Sequence, residues 1–195
     1  MNFSFKFLLI FLFAIVKSQN IDFLANIPSE LKESEIRIYK DRGITNSSYV
    51  FRIYQEDKTW KANLIQWFLP KKLDKELIKP KNTILKSEKS LEEIFVNIQA
   101  RNINYLPKEE AFQYKKTSNK KVIFDTDENA FVFHQQLMSV LDGTGYLVKY
   151  KAGKQQNEFE YSNPESYLKN YPGIDELQDF VGILKYIRKQ FNIEF

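Results

Sequence analysis

Hydrophobic positions recur along the chain with two different periods, and the change from one to the other marks out the predicted elements. Pro28 to Glu33 reads as one helical turn, after which the period becomes two. Ile36 and Ile38 alternate with Arg37 and Tyr39, and Tyr49, Phe51 and Ile53 alternate with Val50, Arg52 and Tyr54. After a polar connection at residues 55–58 (QEDK), the strand pattern resumes over residues 59–68 (TWKANLIQWF). Connections this short exclude parallel crossovers, so three consecutive antiparallel strands are expected.

Residues 69–90 are broken by Pro70 and Pro80 and read as an exposed connection rich in lysine. Ser90 and Glu93 then have the spacing of a capping box, and Leu91, Ile94, Phe95 and Ile98 share one face of a helix over about 91–101. Pro107 to Lys121 reads as a polar loop, and residues 122–124 as a short strand. Residues 128–141 favour a helix, with Ala130, Phe133, His134, Leu137, Met138 and Leu141 on one side and Gly143 as the terminating residue. The competing strand reading puts Phe131 and Phe133 on one face.

Residues 145–151 and 157–161 form two alternating runs that predict a hairpin. With a two-residue turn at Gly153-Lys154, Lys149 faces Glu158; with a four-residue loop, Lys149 faces Glu160 and Lys151 faces Glu158. Asn163-Pro164 predicts a capped short helix that Tyr171-Pro172-Gly173 ends. A last helix over about 174–191 carries the stripe Ile174, Leu177, Phe180, Val181, Leu184, Ile187 and Phe191, with acids at its start and Lys185, Arg188 and Lys189 near its end. These elements define an α+β domain: a mainly antiparallel sheet of about five or six strands packed against two principal helices, 91–101 and 174–191.

The first residues change the expected compartment. Lys6 precedes an unbroken apolar run at residues 7–16, and Val16-Lys17-Ser18 suits a cut between Ser18 and Gln19, the order of a secretory signal peptide. Ten apolar residues span only about 15 Å as a helix, about half the hydrocarbon core, so a stable membrane anchor is not expected. The chain thus divides into a signal peptide, 1–18, and a single domain, 19–195, secreted or periplasmic. It contains no cysteine, so a core must hold it without disulfides.

The formal net charge of +4 is unevenly spread. Residues 61–121 carry a net +7 and residues 122–195 a net −4. Basic and acidic surfaces on different parts of the molecule follow from that.

Candidate chemistry is sparse. Asp142-Gly143-Thr144-Gly145 lacks the spacing and the following helix of a phosphate loop. It also departs from the Asp-Thr-Gly of aspartic proteases, and no second such motif supplies the partner carboxylate. Asp125, Asp127 and Asn129 occupy the first, third and fifth places of a calcium loop, but the sixth place is Ala130 and the twelfth Gln136. They remain the candidate metal residues, and no cofactor is implied. The single histidine, His134, cannot build a histidine cluster, and no Gly-x-Ser-x-Gly marks a nucleophile.

Tyr54, Trp60 and Trp67, with Lys115, Lys116, Lys120 and Lys121, are the candidate binding surface, because aromatics interleaved with cations suit a protein or glycan partner. Export argues against nucleic acid. The order of signal-like start, EIRIYK, YVFRIY, tryptophan-bearing strand and YSNPESYLKNYPGIDEL resembles small bacterial exported proteins that carry a signal peptide. The resemblance carries no catalytic motif and transfers no site residue. The expected function is therefore a non-enzymatic binding module acting on another protein, of inhibitor or immunity type. The alternative is a carboxylate-based envelope hydrolase, calcium-assisted through Asp125, Asp127 and Asn129.

Overall fold

A computed structural model describes residues 21–40, 45–70, 77–140 and 143–195. The expected signal peptide, residues 1–18, and Asp142 lie outside the described residues. The strands are β1 (Ser34–Lys40), β2 (Ser47–Glu56), β3 (Thr59–Phe68), β4 (Lys81–Ile84), β5 (Thr117–Asp125), β6 (Ala130–Leu137), β7 (Gly145–Ala152) and β8 (Gln155–Ser162). The helices are α1 (Leu91–Gln99), α2 (Pro164–Asn170) and α3 (Asp175–Phe191), with a 3₁₀ helix at Glu109–Lys115.

Six strands form one antiparallel sheet in the order β4-β3-β2-β1-β7-β8, and β5 and β6 form a separate two-stranded sheet. One face of the large sheet presents Ile36, Ile38, Phe51, Ile53, Ala62, Tyr146, Val148, Tyr150, Phe159 and Tyr161 to α1 and α3. Helix α3 answers with Leu177, Phe180, Ile183, Leu184, Ile187 and Phe191, all buried. The Phe180 ring meets Tyr146, Phe159 and Tyr161 edge-on at centroid distances of 5.7, 5.6 and 5.2 Å. Such contacts add about 0.5–1.5 kcal/mol each beyond the area they bury.

Helix ends follow their local chemistry, with two departures from expectation. Ser90 caps α1 by accepting from the Glu93 amide at 3.1 Å, whereas the Glu93 carboxylate pairs with Lys89 instead of completing a capping box. Asn163 precedes α2 in a left-handed conformation, φ 51°, and its side chain makes no cap hydrogen bond. That side chain lies against Gly143, where an added Cβ would sit 1.4 Å from the Asn163 Oδ1. Gly143 is therefore required by close approach, and no helix ends there.

The β7–β8 hairpin takes the two-residue turn. Ala152 pairs with Gln155, Lys149 faces Glu158, and Gly153 has φ 56°. The β2–β3 connection is equally tight, because both strands run to the pair Glu56 and Thr59. Asp57 and Lys58 between them both have positive φ, 49° and 63°.

Four segments differ from the sequence expectation for identifiable reasons. Residues 28–33 form no helical turn; the carbonyls of Pro28 and Glu30 are taken by the Arg37 guanidinium, and the helical turn lies at 21–24. Strand β4 was hidden in the lysine-rich connection, since all four of its residues are exposed and show no alternation. Residues 109–115 form a 3₁₀ helix around the single buried anchor Phe112. Residues 130–137 are strand, because cross-strand contacts of Phe131 with Phe124 and Phe133 with Val122 replace the apolar face of a helix that would have had no core to meet.

A non-glycine residue in left-handed backbone costs about 1 kcal/mol, and two-residue hairpin turns with two positive φ values favour Asn-Gly. Lys58→Gly should therefore stabilise the protein by about 1 kcal/mol, raising the melting temperature by roughly 2–4 °C. A melt unchanged or lowered would show that the turn is not strained.

Candidate functional site

The second face of the large sheet carries the charged residues Glu35, Arg37 and Arg52 of β1 and β2, and the structure buries them. Residues 21–33 cross this face as a strap. Leu24 and Ala25 pack there with Tyr39, Val50, Ile65 and Trp67 in a second apolar cluster. Beside them Glu35 and Arg37 have no exposed surface, and Asp22 and Arg52 very little.

The burial is tolerated because each charge has partners. The Glu35 carboxylate accepts from the Arg37 Nε, from both the Nε and Nη2 of Arg52, and from the backbone amide of Lys32. Arg37 donates to the Pro28 carbonyl at 2.6 Å and the Glu30 carbonyl at 2.8 Å, with Asp22 3.4 Å away. The Tyr39 hydroxyl donates to Asp22 at 2.7 Å. The Arg52 guanidinium lies 3.7 Å above the Tyr54 ring.

Burial alone would push the Glu35 carboxyl up, but hydrogen bonds from Arg52 and Arg37 outweigh it and hold the group below its ordinary range. For Asp22 burial prevails over the Tyr39 hydrogen bond and the Arg37 charge, and its carboxyl is pushed up. The charged groups here are spent on the strap or the sheet, which makes the cluster a fastening.

The expected binding residues do not form one surface. Trp67 is buried under the strap, and Trp60 lies on the helix face against Phe95 at 4.7 Å. Tyr54 is engaged by Arg52. Lys115 is paired with Glu176 at 2.7 Å. Lys116 is buried, paired with Glu109 and 4.2 Å above the Tyr167 ring. Burial pushes its ammonium down to about 8, and the adjacent Glu109 carboxylate opposes that shift.

Lys120 and Lys121 alone stay exposed, on an element the sequence reading did not assemble: the β5–β6 hairpin. Val122 pairs with Phe133 and Phe124 with Phe131, so these four side chains share one face. Their exposures are 67%, 62%, 50% and 77%, where a packed face would show almost none. Phe124 and Phe131 touch edge-to-face at 5.2 Å. Ile123, Val132, Lys121 and His134 occupy the other face. The signal available in the sequence was the aromatic and β-branched run on both sides of Asp125–Asn129.

Asp125, Asp127 and Asn129 lie in the turn of this hairpin. The Asp125 Oδ1 accepts from the amides of Asp127 at 2.8 Å and Glu128 at 3.2 Å, and Asn129 is left-handed at φ 49°. These contacts shape a turn. Among the described residues no three histidine, aspartate or glutamate side chains converge where a metal ion could sit.

At the root of the hairpin a cleft of about 640 Å³ opens between the arm and α2, lined by Ser118, Gln136, Leu137, Met138, Asn170 and Tyr171. Among the described residues, no carboxylate, histidine or lysine lines it. No protein-family model, curated protein or solved structure matches the chain. Function must be read from this geometry alone. Among the described residues, no helix is long and apolar enough to cross a membrane.

Removing one member of a buried ion pair costs about 3–5 kcal/mol, because the remaining charge stays buried. Glu35→Gln should cost about 3 kcal/mol at pH 7. Because the folded carboxyl lies below its ordinary value of 4.5, its contribution is complete above that pH and is lost as pH falls through the folded value. Urea unfolding of both proteins across pH 7 to 2.5 should show the gap closing in acid. A gap constant with pH would contradict the assignment.

Proposed function

We propose that the protein is a non-enzymatic binding module of the periplasm or extracellular space, and that it docks another protein through the apolar face of the β5–β6 arm. The observation that carries this reading is that face: Val122, Phe124, Phe131 and Phe133 side by side, each at least half exposed, on an element outside both cores. Contiguous apolar surface of this kind on a projecting element marks interaction sites, and aromatic residues dominate the energetics of protein contacts. Export rests on the sequence: Lys6, the apolar run 7–16 and the small residue Ser18 before the expected cut.

An inhibitor or immunity-type role suits an arm that can enter a groove on its target, with the flanking Lys120 and Lys121 favouring an acidic rim. The alternative of carboxylate hydrolysis draws no support from the cleft, whose lining offers no acid pair among the described residues.

The test is affinity capture from the native envelope and secreted fractions, with wild type and the double variant Phe131→Ser/Phe133→Ser side by side. Wild type should retain a stoichiometric protein and the variant should bind it at least tenfold more weakly, each lost aromatic anchor costing about 2 kcal/mol. The protein recovered from those fractions should begin at Gln19. Equal capture by both proteins would remove the arm from the binding site, and no stoichiometric partner for either would overturn the reading.

A further inference from the structure

The arm has a second feature, on its edge and not its face. Lys121-Val122-Ile123-Phe124-Asp125 is the regular part of β5, bounded by a bulge between Ser118 and Lys121 on one side and by the turn after Asp125 on the other. Among the described residues β5 pairs with β6 alone, so its outer edge presents unpaired backbone groups. The run contains no proline or glycine, and its two charges stand at opposite ends with three apolar residues between them.

Antiparallel pairing of this run with another copy of itself, centred on Ile123, places Lys121 opposite Asp125 of the second copy at both ends. Val122 then faces Phe124, and Ile123 faces Ile123. Directly opposed residues share a sheet face, so both charge pairs and all apolar pairs meet their complement without a register shift. Parallel alignment would set like charges side by side. Self-pairing of β6 about Val132 would oppose Ala130 to His134 and form no ion pair.

We propose that two copies of this chain associate through β5, antiparallel and centred on Ile123, into a continuous four-stranded sheet β6-β5-β5-β6. Three physical arguments favour it. An open strand edge without proline, glycine or a mid-strand charge is a template for pairing. A two-stranded sheet is marginal in water, whereas three or more strands with an apolar face are independently stable. The contact is isologous, so a two-fold axis closes it at two copies.

The consequence is a larger platform. Val122, Phe124, Phe131 and Phe133 from each copy fall on the same side, which puts eight apolar side chains on one surface. A single arm offers far less than the ~800 Å² per partner typical of stable interfaces, and the joined arms come closer to it. The association goes beyond the docking reading and stands without it, since it requires no other protein.

The experiment is sedimentation equilibrium of the purified protein, with circular dichroism and melting to confirm that each variant is folded. Wild type should show a monomer–dimer equilibrium. Lys121→Glu and Asp125→Lys should each weaken it at least tenfold, and an equimolar mixture of the two should restore association as a heterodimer. Because the chain has no cysteine, single substitutions report the register without background. Opposed residues in an antiparallel pair bring their Cα atoms within disulfide range. Ile123→Cys should therefore form a cross-linked dimer on oxidation and Val132→Cys should not, and Lys121→Glu placed in the Ile123→Cys chain should suppress the cross-link.

Monomeric wild type at concentrations up to about 1 mM would overturn the proposal. So would cross-linking of Val132→Cys in place of Ile123→Cys. A monomer that still captures a partner through Phe131 and Phe133 would sink the dimer and leave docking intact. A dimer that captures nothing would do the reverse.

Discussion

The Arg37 guanidinium is the contact on which the strap side of the sheet depends. It sits on the central region of the sheet, on the strand flanked by β2 and β7, and reaches the Glu35 carboxylate, two strap carbonyls and the vicinity of Asp22. A six-stranded sheet has two faces to cover, and α1 and α3 cover only one. The other is closed by residues 21–33, a segment with little regular structure that buries Leu24 and Ala25 in the second cluster and packs Ile21 and Ile27 against it. Hydrogen bonds to a buried charge, worth about 1.5–3 kcal/mol each, supply what apolar area does not. The Gly153 amide adds a bond to the Glu33 carbonyl at 2.9 Å, tying the strap to the β7–β8 turn as well.

This arrangement explains which parts of the fold were readable from the residues and which were not. Helix α3, the helix-facing side of the β1–β3 meander and the β7–β8 hairpin follow from periodicity because each turns one apolar face to the main core. The strap defeats the same logic. Glu35, Arg37, Tyr39 and Arg52 alternate with apolar residues as a solvated face does, and pairwise periodicity cannot show that a distant segment supplies carbonyls to cover them. Trp67, at a strand position whose alternation favours core packing, is buried beneath the strap.

The arm was obscured for a different reason. Strands usually bury one side, and β5 and β6 bury neither, so there is no polar and apolar alternation to separate strand from helix. Phe133 and Leu137 have helical spacing by coincidence, while the decisive information is the cross-strand partner of each residue. The candidate lysines were dispersed by the same tertiary effects: Lys116 lies beneath Tyr167, Lys115 is tied to Glu176, and only Lys120 and Lys121 remain on the arm.

A division results, in which the large sheet holds both apolar clusters and the hairpin contributes to neither. Excision of the arm tests that division most directly. Ser118 and Gln136 are cross-strand partners, so residues 119–135 can be replaced by an Asn-Gly turn without disturbing the body. The account predicts cooperative unfolding with a melting temperature within about 3 °C of wild type, equivalent to roughly 1 kcal/mol. A fall of more than about 10 °C, or loss of cooperativity, would contradict it by showing that the hairpin is part of what holds the protein together.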